Sequence, residues 1–177
     1  MKSLGRFLIL FVVLSVPAFA EDNEITLFAG GQFPGGISLT SASSGGSTII
    51  NDPSNVGVFG LRYGHVKVFG HEETVAYTPN FLDSNSKSLI LNSNFVVQAP
   101  FPVVRIYATA GPGTLISWGA GASDIGSKFA VNYGGGIKVR PSGPVGIRFD
   151  ARGYSIFSIQ SQTLKMFEVT GGVYFSF

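Results

Sequence analysis

The most reactive-looking residues in the chain are the consecutive triplet His71-Glu72-Glu73. Histidine beside carboxylates is the material of general acid–base catalysis and of zinc binding. A helical zinc site of the His-Glu-x-x-His type needs a second histidine four residues on, and that position is Val75. The other histidine, His65, falls in an expected tight turn. Serine-based nucleophilic catalysis needs a serine beside the histidine and an acid. His71 with Glu72 or Glu73 is the candidate pair, and no serine lies near it in sequence. On a strand, adjacent glutamates point to opposite faces, so one of the two enters the interior, and the sequence does not decide which. Gly111-Pro112-Gly113 and Gly119-Ala120-Gly121 resemble phosphate loops only in composition, because no helix follows to supply a dipole. The chain has no cysteine, which excludes disulfides, zinc-thiolate sites, iron–sulfur clusters and a thiol nucleophile. No catalytic, metal-binding or cofactor-binding residue is assigned, and no cofactor is expected.

The elements that hold these residues read as strands. The first 20 of the 177 residues have the form of a secretory signal peptide: Lys2 and Arg6, an apolar run from Phe7 to Val16, and Ala18-Phe19-Ala20 as a cleavage site. Its removal takes two of the 12 basic residues and leaves ten against ten acidic ones, so no charge excess points to nucleic acid. Residues 21–177 are expected to form one domain. Only 12% of the residues are charged, and the chain carries 24 Gly and 16 Phe, a composition that favours strands. From Val145 to Tyr154, the set Val145, Ile147, Phe149, Ala151 alternates with Arg148, Asp150, Arg152, Tyr154. From Lys165 to Phe177, the set Phe167, Val169, Val173, Phe175, Phe177 alternates with Glu168, Thr170, Tyr174, Ser176. A period of two is the mark of a strand with unlike faces. Both runs have the length of a tilted strand that crosses a bilayer, ~9–11 residues.

The same pattern predicts eight strands, at Ile25–Gly31, Asn55–Tyr63, Val66–Thr78, Ser88–Gln98, Val103–Ala110, Lys128–Arg140, Val145–Ser155 and Lys165–Phe177. The connectors alternate between long and short. Gln32–Ser54, Pro79–Lys87 and Gly111–Ser127 are long and Ile156–Leu164 is medium, whereas Gly64-His65, Ala99–Pro102 and Pro141–Pro144 are short. Ser43-Ser44-Gly45-Gly46-Ser47 reads as a flexible surface tract. The fold class expected is all-β: an eight-stranded antiparallel up-and-down transmembrane barrel, with short turns in the periplasm and longer loops outside. A soluble ligand-binding barrel would turn Val145, Ile147 and Phe149 inward, and the strand lengths, the connectors and the terminal Phe177 argue for the inverse. Aromatics such as Tyr77, Phe81, Phe101, Tyr107, Trp118, Tyr133 and Phe157 are expected at the membrane interfaces or as ordinary strand residues.

The segments Phe129–Val139, Val145–Tyr154 and Val173-Tyr174-Phe175-Ser176-Phe177 resemble the sixth, seventh and last strands of eight-stranded outer-membrane barrels, the outer-membrane protein A and X type of the outer membrane protein β-barrel domain family. The resemblance implies export through the periplasm to a bacterial outer membrane. It also implies a structural, anchoring or surface-interaction role without a particular ligand. Val173, Phe175 and Phe177 are similar to the C-terminal signal read by the barrel-assembly machinery. Outer-membrane lipid and that machinery are the partners implied, with a surface ligand left open and no nucleic acid. The interior is expected to hold a charge cluster of Arg62, Arg105, Lys138, Arg148, Asp150, Arg152 and Glu168. The periplasmic end gathers Arg62, Lys67, Arg105, Lys138, Arg140 and Arg148 near the short turns, offset by Glu21, Asp22 and Glu24. Ion pairs inside the barrel and attraction to an acidic periplasmic partner are both compatible with that. A small outer-membrane lipid hydrolase is the enzymatic alternative, and a serine hydroxyl within reach of His71 would favour it.

Overall fold

The computed structural model describes residues 23–37, 39–43, 46–50, 54–82, 84–119 and 124–177. The expected signal peptide, Glu21, Asp22, Gly45 and Gly121 lie outside them. The strands are β1 (Asn23–Pro34), β2 (Leu39–Ser43), β3 (Gly46–Ile50), β4 (Val56–Val66), β5 (Phe69–Pro79), β6 (Lys87–Pro100), β7 (Val104–Trp118), β8 (Gly126–Val139), β9 (Val145–Ile159) and β10 (Gln162–Ser176). Eight of them close into one barrel in the order β1-β10-β9-β8-β7-β6-β5-β4, every pair antiparallel. The strands β2 and β3 form a separate hairpin within the connector from β1 to β4.

Closure is made by the first and last strands. β1 pairs with β10 from Glu24↔Ser176 to Pro34↔Met166. Asn23 and Phe177 exchange backbone hydrogen bonds at 3.1 and 2.9 Å. No edge is left, which lipid requires because it offers nothing to unpaired amides.

The alternation sorts the residues as the membrane reading needs. Val145, Ile147, Phe149, Val169, Val173 and Phe175 face outward, whereas Arg148, Asp150, Arg152 and Glu168 are buried inside. An aromatic band lies toward the longer-loop end, where Phe59 and Tyr77 have ring centroids 5.4 Å apart, Tyr77 and Trp118 6.4 Å, Phe33 and Phe167 6.4 Å, and Phe129 and Phe157 6.0 Å. Phe69 and Phe95 stack at 6.2 Å toward the opposite end.

Several boundaries differ from the sequence expectation. The β4–β5 turn is at Lys67-Val68, not Gly64-His65. Gly64 stays in the strand, where a Cβ would lie 3.5 Å from the Glu24 side chain. β7 runs through Gly111-Pro112-Gly113 to Trp118, so the expected long loop shortens. Pro112 lacks an N–H, and the β6–β7 ladder skips the step between Asn92↔Gly113 and Phe95↔Ala110 while keeping its register. The β9–β10 connector is a tight turn at Gln160-Ser161, both with positive φ. Ser43, Gly46 and Ser47 belong to the β2–β3 hairpin.

The interior has two layers. Toward the longer-loop end it is apolar, built by Phe28, Val58, Ala76, Ile90, Leu115, Ala130, Ile156, Leu164 and Met166, and closed over by Phe81, Leu82, Ile37 and Ile159. Fully burying each of the larger side chains, Val, Leu, Ile, Phe or Met, stabilises by about 1.5–3 kcal/mol. Below it the interior is mostly polar, with Val66 and Val96 clustered on Tyr107 as its apolar exception. Phe81, read from the sequence as an interface or strand aromatic, is instead fully buried in the connector after β5.

Candidate functional site

The polar layer starts from β9, where alternation places Arg148, Asp150 and Arg152 on one inward face. Asp150 is the hub. Arg148 Nε donates to its Oδ2 at 2.9 Å, and Arg152 Nη2 donates to its Oδ1 at 2.9 Å. Arg62, from β4, donates to Oδ2 at 3.1 Å. Tyr107 Oη, from β7, donates to Oδ1 and accepts from Arg148 Nε at 2.8 Å.

Glu72 on β5 completes the near side. It takes Arg148 at 2.6 Å and Arg152 at 2.7 Å. The fate of the adjacent glutamates is thereby settled: Glu72 is inside and Glu73 is on the outer wall. Glu168 on β10 receives Arg62 Nη2 at 3.1 Å and Gln32 Nε2 at 2.8 Å, and Gln32 in turn accepts from Thr78 at 2.8 Å. Nearer the short-turn end, Lys138 pairs with Glu24, and its Nζ lies 3.4 Å from Gln98 Oε1. Aromatic faces fill the remaining approaches: the Arg62 guanidinium sits 3.7 Å from the Phe28 ring centre and Arg148 4.6 Å from that of Tyr107.

The four cations Arg62, Arg148, Arg152 and Lys138 thus face the four carboxylates Glu24, Glu72, Asp150 and Glu168, all buried. Among the described residues the fully buried charges balance, four against four. A buried charge without a partner is costly, so balance is what a low-dielectric interior demands. Arg105 stands apart: it is half-buried at the short-turn end, opposite Lys138 in register, outside these contacts. Sequence reasoning missed Gln32, placed Glu24 only at the periplasmic end, and read Tyr107 as an interface or strand aromatic, whereas all three are buried in the lumen. The available signal was parity, since each falls on the inward set of its strand.

The outer wall carries the His71 group. Glu73 Oε1 accepts from His71 Nε2 at 2.8 Å and from Ser93 Oγ at 2.8 Å. A serine and a histidine therefore meet, but with the carboxylate oxygen between them. A serine nucleophile is activated when the histidine takes its proton and the acid orients the histidine. Here both donors end on the acid. Among the described residues no group of three or more His, Cys, Asp or Glu is placed to hold a metal ion.

A closed eight-stranded antiparallel barrel with an apolar outer wall and a paired polar interior defines a transmembrane β-barrel. The outer membrane protein beta-barrel domain matches residues 7–177, and the chain belongs to that family, whose place is the bacterial outer membrane. Solved structures agree in fold. Neisserial surface protein A is 14% identical at a TM-score of 0.62, over 86% of this chain and 97% of that one. The N-terminal β-barrel domain of Pseudomonas aeruginosa OprF is 14% identical at a TM-score of 0.54, over 88% and 98%. No curated protein matches the sequence.

Proposed function

We propose that the protein is a non-enzymatic outer-membrane barrel whose role is structural, anchoring or surface-interactive, with a lumen that does not conduct. The observation that carries this is the filled interior. A charge-balanced layer lies beneath an apolar one, and both are built of large buried side chains. Eight strands enclose a space just wide enough for side chains. What remains for function is the outer wall and the loop ends. In this reading the β2–β3 hairpin and the β5–β6 and β7–β8 connectors face outside. The turns at 67–68, 101–103 and 140–144, with Asn23 and Phe177, face the periplasm. Val173, Phe175 and Phe177 present the terminal apolar face to the barrel-assembly machinery.

The cysteine-free sequence makes orientation directly testable. Asn85→Cys should be labelled by an impermeant maleimide on intact cells, and Ser142→Cys only after the membrane is opened. Labelling of Ser142→Cys alone on intact cells would contradict the orientation. The enzymatic alternative is tested by incubating the folded protein with labelled phospholipid and lipopolysaccharide. No fatty-acid release is expected, and release abolished by Ser93→Ala would overturn the proposal.

A further inference from the structure

The charge balance of the interior ends at the short-turn mouth. Arg105 on β7 and Arg140, the residue after β8, keep the inward parity of Tyr107 and Lys138 and are half-buried. Lys138 is opposite Arg105 in register, and Arg140 donates its backbone N–H to Val103 O at 2.9 Å. The two arginines are therefore diagonal neighbours across β7 and β8, with Cβ atoms about 7 Å apart. Among the described residues neither makes an ion pair.

β10 adds a third group. Tyr174 is completely buried, and its hydroxyl has no hydrogen-bond partner. A buried hydroxyl without a partner is costly and calls for an explanation. Its register partner on β9 is Gly146, where a Cβ would lie 2.6 Å from Tyr174 Cζ. The ring thus crosses β9 over a position without a side chain, and its hydroxyl end points toward β8. Val139 pairs with Ile147, so Arg140 continues that row beside Gly146. Arg140, Glu24, Arg105 and Arg148 are the charged groups near enough to act on the phenol. Glu24, the acid among them, is held by Lys138, and Arg148 is held by Glu72 and Asp150. Arg105 and Arg140 remain to receive an anion.

We propose that Arg105, Arg140 and Tyr174 form an anion site at this mouth, for the doubly charged phosphate group of a solute. Two guanidinium groups match a dianion, and its terminal oxygens accept from both arginine forks and from the phenolic O–H. A single carboxylate leaves one arginine unmatched. Neither arginine depends on pH for its charge. The site lies inside the ring of strands, whereas phospholipid headgroups surround the outer wall and carry their phosphate as a singly charged diester. That the solute is periplasmic rests on the orientation proposed above. The maleimide labelling tests that orientation separately from the binding measured below.

The test uses the folded chain in phosphatidylcholine nanodiscs at about pH 8, where a phosphate group is a dianion. Inorganic phosphate is the probe, and the Nε–Hε NMR signals of Arg105 and Arg140 are the readout. Phosphate should shift both signals saturably, beyond the effect of chloride at equal ionic strength. Arg105→Gln and Arg140→Gln should each weaken binding about tenfold, read on the remaining arginine, and Tyr174→Phe should weaken it several-fold. Lys165→Gln, exposed at the opposite end of the barrel, should leave it unchanged. Shifts no larger than those chloride gives, or binding untouched by both arginine variants, would overturn the proposal. Tighter binding of succinate than of phosphate would also overturn it, assigning the site to carboxylates. Equal shifts from phosphatidylglycerol doped into the disc, without phosphate, would assign it to lipid instead. Phosphate binding that appears only when Glu21→Gln and Asp22→Asn are combined would assign it to the chain's own acids, against the proposal. Heat-modified gel mobility, read in parallel, reports separately whether each variant forms the barrel.

Discussion

Arg62 and Asp150 meet across the lumen at 3.1 Å, although their strands, β4 and β9, are not neighbours in the barrel. This contact ties opposite walls together through a fully buried pair. Removing Asp150 leaves the buried layer with four cations facing three carboxylates. Asp150→Ala takes a shared acceptor from Arg62, Arg148 and Arg152 at once, and is expected to cost about 3–5 kcal/mol. Exposed Asp124→Ala should change stability by less than about 0.5 kcal/mol. Urea unfolding in lipid vesicles compares the two, and equal midpoints would show that the pairing does not hold the barrel.

Gly136 faces inward where a Cβ would strike the Phe149 carbonyl oxygen and the Tyr107 ring, whose Cζ lies 2.8 Å from it. Gly136→Ala should push Tyr107 off Asp150 and Arg148 and destabilise by about 1–3 kcal/mol. The penalty should shrink in a Tyr107→Ala background, because one of the two obstructions is gone. Unfolding midpoints of the four proteins close that cycle.

The apolar layer is expected to behave as a packed core. Leu115 is completely buried against the loop-end cluster. Leu115→Ala should cost about 2–5 kcal/mol, whereas outward Ile106→Ala should cost less. A reversed order would mean that the loop-end interior is wet and loosely packed.

How much of this was legible in the sequence follows from where the two faces differ. Along β9, Arg148, Asp150 and Arg152 contrast with Ile147, Phe149 and Ala151, so strand, face and cluster could all be read. Around Leu89-Ile90-Leu91 and Leu115-Ile116 both faces are apolar. Alternation vanishes there, and the apolar half of the lumen was invisible. Glu72 and Glu73 show the same limit at single-residue scale, since a one-residue change of parity exchanges inside for outside. Turns were misplaced where glycine was taken as punctuation. Gly64 and Gly111 are in strands, and at Gly111 the close approach of β6 leaves no room for a Cβ, which would lie 2.7 Å from Asn94 Cα. The Ser93–Glu73 contact joins residues 20 apart, brought together by strand register that composition does not reveal.

Closure and recognition at the C-terminus separate experimentally. Deleting Val173–Phe177 removes β10's partners for Leu27, Thr26, Ile25 and Glu24. Membrane yield should collapse, because β1 is left with an open edge in lipid. Phe177 is 60% exposed on the outer wall, so Phe177→Ala keeps the backbone pairing. That variant should insert more slowly with assembly machinery present yet reach the same final stability. Identical insertion kinetics would remove Phe177 from the recognition signal.

The sealed lumen is the central claim, and single-channel recording tests it most directly. Purified, folded monomer in a planar bilayer should give no long-lived conductance steps, because Arg62, Asp150 and Arg148 span the polar layer and Leu115, Ile90 and Phe81 fill the one above it. Uniform, stable, porin-like steps from the wild-type monomer would contradict it.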